Sequence, residues 1–351
     1  MLRYVIVGSG YRAEYFGRIA RTYPDLFGAM FLCRSREKAG LMTARTGAPA
    51  VTDEDECLAF RPDFAVIAVD RGHMAEVIAR WAEKGLPLVT ETPVGETMDQ
   101  LRAVWALGAG GAKIVSCEQY FRQPILLSGL AAVEEGLIGT PSSLYISLLH
   151  DYHAASVIRR ALQVPVGEAF TVMGAARQNT VIQTDSRTGA ILDGSRAAAE
   201  RMTALISFDS GKSAVYDFSP VQYRSFIRSR HLVVRGDRGE WSDISVSFAD
   251  GAGVPRKLFL TPEIPEKYRC LDTQALRDRR RGWQHELMPD TVQDEFAIAS
   301  MLLDMGGYLT GGPSPYPLED ALEDAYFWCQ LKQAALSPFR PIRSERMPWH
   351  P

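Results

Sequence analysis

Leu2-Arg3-Tyr4-Val5-Ile6-Val7-Gly8-Ser9-Gly10-Tyr11-Arg12-Ala13 joins a branched apolar run to two closely spaced glycines. The branched apolar run predicts a strand of a parallel sheet. Gly8 and Gly10 then let the chain turn tightly and bring its backbone close to a pyrophosphate at a helix N-terminus. Ala13 holds the third glycine position and is still small enough for the helix to pack near the strand. Taken alone, a GxGxxA spacing fits a plain strand-to-helix junction equally well. The context separates the two readings: the turn follows a strand, opens a helical pattern, and precedes a second apolar strand at residues 28–33.

Outward from this turn, helices at 35–46, 73–84 and 97–108 alternate with strands at 64–69, 86–90 and 113–117. That rhythm predicts an α/β Rossmann-type dinucleotide-binding domain over 1–118, with its ligand crevice at the carboxyl ends of the strands. Beyond 118 the pattern changes. Helices are expected at 123–135 and 153–162 and a strand at 142–149, and residues 166–261 carry short Val, Thr, Phe, Tyr and Ser runs punctuated by Gly and Asp. Such runs predict a mostly antiparallel sheet, with a hairpin about Asp209-Ser210-Gly211 and a strand-turn-strand over 231–241. Helices return at 291–305 and 318–335, so 119–336 reads as an α+β domain. The tail, 337–351, holds four prolines and three arginines. It cannot form a core of its own, and is expected to lie across a neighbouring subunit or to stay mobile.

A chain of 351 residues with 46% apolar residues suits two globular cores. A formal net charge of −3 supplies no electrostatic reason to expect nucleic acid or an acidic membrane as partner. The basic run Arg277, Arg279, Arg280 and Arg281 lacks aromatic interleaving and reads as a solvated loop. Cys33, Cys57, Cys117, Cys270 and Cys329 are odd in number and lack CxxC spacing, which fits a reducing compartment. With no signal-peptide pattern and no apolar run near the roughly 20 residues that span a bilayer, a cytoplasmic protein is expected.

Together these stretches resemble the glucose-fructose oxidoreductase / inositol dehydrogenase / MocA family along nearly the whole chain. The resemblance rests on the glycine turn, on Asp70-Arg-Gly-His73 before a helix, and on Glu91-Thr92-Pro93 where the family has Glu-Lys-Pro. It extends to Glu118-Gln-Tyr120-Phe-Arg122-Gln-Pro124 and to the turn Arg235-Gly236-Asp-Arg-Gly239-Glu240. It implies hydride transfer between a nicotinamide and a small polyhydroxylated substrate such as a sugar, inositol or sugar derivative. It also implies a second domain whose large, open sheet builds a homodimer or homotetramer. On the cofactor side it points to Gly8, Ser9, Gly10, Tyr11, Arg12, Asp70, His73, Glu91 and Thr92.

Two departures bear on catalysis. The family's lysine, which meets the reacting oxygen, is Thr92 here, a neutral donor that brings no ammonium charge. The family's Asp-x-x-x-His-x-x-Asp becomes Leu149-His150-Asp151-Tyr152-His153-Ala-Ala-Ser156, which keeps the histidine as His153 and replaces the following Asp by Ser156. These changes leave a second reading open, a nicotinamide-binding sensor or partner subunit without turnover.

His153 is the candidate proton shuttle. His150 is either a second acid–base group or a helix-capping residue, and Asp151 either joins the chemistry or caps the helix. Tyr120 and Arg122 either hold substrate, through stacking and a forked pair, or make a structural salt bridge. Trp283, His285 and Glu286 sit in a polar loop where the family completes its pocket. His150, Asp151, His153 and Glu91 are the one conceivable metal set; no metal is expected, since hydride transfer needs none.

NAD-preferring domains place Asp or Glu after the second strand to accept from the ribose 2′-OH. Here that position is Arg34, followed by Ser35 and Arg36. A guanidinium pairs with a 2′-phosphate that a carboxylate would repel, so NADP(H) is the expected cofactor, with NAD(H) the alternative. In the bland reading Arg34 and Arg36 point into water.

Overall fold

The structure, a computed structural model, describes residues 1–186, 189–262, 264–272 and 291–351. The chain divides into two compact units. One takes residues 1–123, 264–272 and 291–326, and the other residues 124–262 and 327–351. The basic run at 277–281 and the candidates Trp283, His285 and Glu286 lie outside the described residues.

In the first unit β1 (Leu2–Val7), α1 (Tyr11–Thr22), β2 (Phe27–Leu32), α2 (Arg36–Thr46), β3 (Ala50–Val51), α3 (Glu54–Ala59) and β4 (Phe64–Ile67) are followed by α4 (Met74–Ala82), β5 (Leu88–Thr90), α5 (Met98–Ala109) and β6 (Ile114–Ser116). The strands form a six-stranded parallel sheet in the order β3-β2-β1-β4-β5-β6, the doubly wound arrangement that turns its strand order about β1 and β4. The apolar runs are continuous because both sheet faces are covered: Tyr4, Val5, Ile6 and all four residues of β4 are fully buried. The ring of Tyr4 stacks on Phe64 at 5.3 Å.

Neither β3 nor α3 is anticipated by the periodicity, since one has two residues and the other is a single capped turn and a half. Asp53 starts α3 by accepting from the N–H groups of Asp55 at 2.7 Å and Glu56 at 3.2 Å. The helix expected from residue 73 begins at Met74, after a 3₁₀ turn at Arg71–His73. The helix Thr291–Leu309, far away in sequence, also belongs to this unit and lies against α1.

The second unit contains α6 (Pro124–Glu134), β7 (Pro141–Ser147), α7 (Asp151–Ala161), β8 (Phe170–Ile182), β9 (Asp185–Ser186), β10 (Gly189–Ala190), β11 (Arg196–Phe208), β12 (Ser213–Phe218), β13 (His231–Gly236), β14 (Gly239–Ser242), β15 (Ser245–Ala249), β16 (Pro255–Phe259) and β17 (Ile342–Arg343). Nine strands form one open sheet, β16-β15-β14-β13-β7-β12-β11-β8-β17, antiparallel except where β12 runs parallel to β7. Alternation along β11 is strict at its end: Met202, Ala204, Ile206 and Phe208 are buried, and Thr203, Leu205 and Ser207 are exposed. The buried face meets residues of the helix Leu318–Leu336, whose Phe327 ring lies 4.7 Å from Phe170.

The tail corrects the expectation of a mobile or partner-bound segment. Ile342 and Arg343 pair with Val172 and Thr171 at the edge of the sheet, and Arg343 forms a forked ion pair with Asp209, with Nη1 2.6 Å from Oδ1. Met347 and Trp349 are buried at 4% and 3% exposure. A proline-rich segment with a few apolar residues can complete a core that it could not build alone.

Candidate functional site

In the first unit the glycine turn has the geometry its spacing implies. Gly8 adopts φ +135°, and a Cβ there would sit 2.1 Å from the carbonyl oxygen of Ala68, so the turn passes against the end of β4 where no side chain fits. Gly10 is the N-cap of α1 and makes no side-chain cap bond; a Cβ on it would meet nothing within 4 Å. A tight turn, open space at the second glycine and first-turn N–H groups without intrahelical acceptors suit a pyrophosphate. Ser9 lies between the two glycines.

At the end of β2, Arg34 and Arg36 are exposed, while the Ser35 hydroxyl caps α2 by accepting the Lys38 N–H at 3.2 Å. No acid stands at the end of the strand. In the loop after β4, Asp70 caps the 3₁₀ turn by accepting from the Gly72 N–H at 3.0 Å. His73 is exposed, with Nδ1 3.7 Å from the Glu76 carboxylate.

Several expected cofactor contacts are engaged with the protein itself. Arg12 donates to Glu91 Oε1 at 3.0 Å and to Asp294 Oδ2 at 3.3 Å, and lies over the Tyr15 ring at 4.8 Å. The Gln119 amide, oriented to donate to the Cys117 carbonyl, accepts from Arg12 at 3.2 Å, and Gln123 donates to Asp294 at 3.0 Å. Burial opposes the Arg12 charge, but the two carboxylates more than offset it and hold the guanidinium well above its ordinary pKa. Burial pushes the Asp294 carboxyl up despite Arg12, with Glu91 adding to the rise. The network thus ties the glycine helix to the residue immediately before Thr92, which is half-buried beside a cis Thr92–Pro93 bond. Tyr11 is 41% exposed and shares a hydrogen bond with Tyr15 at 2.8 Å.

Arg122 takes the structural alternative. Its Nη1 donates to Asp304 at 2.9 Å and to Tyr268 at 3.1 Å, and its Nη2 to the Pro315 carbonyl at 3.0 Å. The fork assigned to substrate is engaged inside the unit, because the partners come from later segments that the sequence reading had no means to match. Tyr120 is buried at 7% exposure in a 3₁₀ turn, its N–H donating to Glu118 at 3.0 Å.

The second unit gathers the histidines at the end of β7. His150 is the N-cap of α7 and Asp151 its first helical residue, at φ +54°, which corrects the reading of Asp151 as the cap. The His150 and His153 rings are 5.0 Å apart, and Tyr152 lies 4.5 Å from His153. His153 is buried at 4% exposure, and Ser156, where the family has Asp, donates to the His153 carbonyl at 2.9 Å.

Three residues the sequence reading missed shape this cluster. Tyr223 accepts the His150 backbone N–H at 2.9 Å and is hydrogen-bonded to His150 Nδ1. Arg230 is buried, donates twice to the Leu148 carbonyl at 2.9 and 2.7 Å, and lies 4.8 Å over the Tyr223 ring. Gln222 donates to Ser147 and Ser229, holding the 3₁₀ segment Pro220–Arg224 against the end of β7. A tyrosine and an arginine in a loop carry no spacing signal; only the chain path brings them here. Among the described residues no group of three or more His, Cys, Asp or Glu side chains could hold a metal ion.

Residues 2–119 match the model of an oxidoreductase family with an NAD-binding Rossmann fold. A search of curated proteins finds no match. Among solved structures, an NAD-binding oxidoreductase from Klebsiella pneumoniae is 16% identical, with 99% of this chain and 100% of that one covered at a TM-score of 0.71. An oxidoreductase from Agrobacterium radiobacter, in complex with NAD⁺, L-tartaric acid and magnesium, is 13% identical over 97% and 98% of the two chains, at a TM-score of 0.71. A levoglucosan dehydrogenase, in complex with NADH and levoglucosan, is 16% identical over 97% and 99%, at a TM-score of 0.70. At such identities the likeness establishes the fold along the whole chain.

Proposed function

We propose that this chain is an oxidoreductase of the Gfo/Idh/MocA kind, whose NAD-binding Rossmann model residues 2–119 match, and that it transfers a hydride between NADP(H) and a small polyhydroxylated molecule such as a sugar, an inositol or a sugar derivative. The observation that carries the reading is the glycine turn, closed at Gly8 and open at Gly10, in a chain that also holds a buried histidine at the start of α7. The levoglucosan bound to one structure of this fold favours a substrate of sugar size.

The Gly8–Gly10 backbone and the first turn of α1 would hold the pyrophosphate, with Arg34 and Arg36 at the 2′-phosphate. The Ser35 hydroxyl is committed as a cap, so its share there comes through backbone N–H groups. When bound, the nicotinamide accepts or returns a hydride at C4. His153 takes the hydroxyl proton as an alcohol is oxidised and returns it in reduction, so that alcohol and NADP⁺ balance carbonyl, NADPH and one proton. Thr92 contributes a neutral hydrogen bond at most. Assembly as a homodimer or homotetramer through the open sheet accords with the exposed Met173 and Leu205 on its outer face.

Thr92 also favours a second reading, a nicotinamide-binding sensor or partner subunit. A panel of sugars, polyols and sugar acids assayed with NADP⁺ and NAD⁺ separates the two. His153→Ala is expected to lower kcat by about 10² to 10⁴-fold with little change in cofactor affinity. Cofactor binding without turnover on any substrate would replace the first reading by the second.

A further inference from the structure

His150 and His153 are two imidazoles with rings 5.0 Å apart at the start of one helix. The Tyr223 oxygen already accepts the His150 backbone N–H at 2.9 Å, and it also meets Nδ1 of the same residue. The Arg230 guanidinium lies over the Tyr223 ring at 4.8 Å, and a cation so placed makes a phenol a better donor and a poorer acceptor. A phenol oxygen that already accepts once, beneath a cation, is disposed to direct its proton to Nδ1. An imidazole that accepts at Nδ1 carries its own proton at Nε2. Tyr223 is itself held in place: Gln222, the residue before it, is anchored on Ser147, and Phe218 packs edge-on at 5.1 Å.

We propose that Tyr223 is a positioning residue that fixes His150 as the neutral Nε2–H tautomer, making His150 a hydrogen-bond donor to the substrate oxygen while His153 moves the proton. The donor role rests on the hydride-transfer reading above; the tautomer does not. Where the family that the chain resembles has lysine and this chain has Thr92, this assigns a second neutral donor to the reacting oxygen. It also divides the labour of the two histidines, since a ring locked by an Nδ1 acceptor bond is poorly placed to serve as a general base at that nitrogen.

Protein labelled with ¹⁵N-histidine, with the His150 signals identified by their loss in His150→Gln, reports the tautomer directly through long-range ¹H–¹⁵N spectra and needs no substrate. The expected result near neutral pH is a neutral His150 with its proton on Nε2, and in Tyr223→Phe a shift towards a mixture of the two tautomers. A wild-type His150 protonated on Nδ1, or doubly protonated, would overturn the proposal whether or not the protein turns over a substrate.

On a substrate found by the panel, Tyr223→Phe should lower kcat roughly tenfold, the worth of about one neutral hydrogen bond, without raising KM for the cofactor. His150→Gln, whose amide can donate from near the Nε2 position, should retain more activity than His150→Ala. Equal losses in the two would reject the donor role while leaving the oxidoreductase reading intact. Should Tyr223→Phe fail to fold, the wild-type tautomer and the Gln/Ala comparison still decide.

Discussion

Arg34 is exposed at the end of β2, at the position where an NAD-preferring domain places an acid. A guanidinium there meets a 2′-phosphate through two parallel hydrogen bonds, each strengthened by charge. Ser35 is engaged as the cap of α2, so under the proposed NADP(H) reading the arginines would supply the discriminating charge. Arg34→Ala is therefore expected to weaken NADPH by about one to two orders of magnitude, a loss of roughly 1.5–3 kcal/mol for charged hydrogen bonds, while NADH changes little. Titration by cofactor fluorescence checks this, and NADH binding more tightly than NADPH in the unmutated protein would reverse the assignment. A motif does not settle what its side chains touch. Arg12 stands inside the glycine motif, yet its guanidinium bonds to Glu91 and Asp294.

Helix α1 is held by charge at two points, Arg12 to Asp294 and Arg18 to Glu295, consecutive acids in the first turns of the helix Thr291–Leu309. Burial raises the Asp294 carboxyl above its ordinary value, so the folded protein holds this proton more tightly than the unfolded chain does. Stability due to this group should accordingly fall as the pH rises from the ordinary Asp value through the raised one, and then level off. Asp294→Asn cannot ionise. Its melting temperature minus that of the wild type should rise across this window, as measured by melts from about pH 4 to about pH 8. A difference that stays flat, or falls, would mean that Arg12 outweighs burial at this carboxyl.

At the scale of the molecule, the last residues finish the second unit. Trp349 and Met347 are almost wholly buried and Arg343 closes on Asp209, so the chain end seals the β8 edge of the nine-stranded sheet. Removing residues 345–351 should lower unfolding stability by about 3 to 5 kcal/mol, the burial of two large side chains, with far-UV circular dichroism as the probe in urea. An unchanged midpoint would show that these contacts contribute nothing. No helix among the described residues is long and apolar enough to cross a membrane.

The alternating α/β half, the hairpin at Asp209–Gly211, the antiparallel character of the second half and the glycine turn are all legible in the order of the residues. Each of these is a near-neighbour property: a period of two or of 3.6, a residue free to take positive φ, an apolar run covered on both sides. The strands β3 and β17 were illegible because two residues carry no period. Which side chains become partners is settled only once the chain has folded. Asp294 reaches Arg12 from 282 positions away, and Tyr223 reaches His150 from 73. Arg122 turns inward to Asp304 because that acid arrives from a helix 182 positions on. A side chain's chemistry is written in its type, but its pKa, tautomer and role follow from neighbours that only the path of the folded chain supplies.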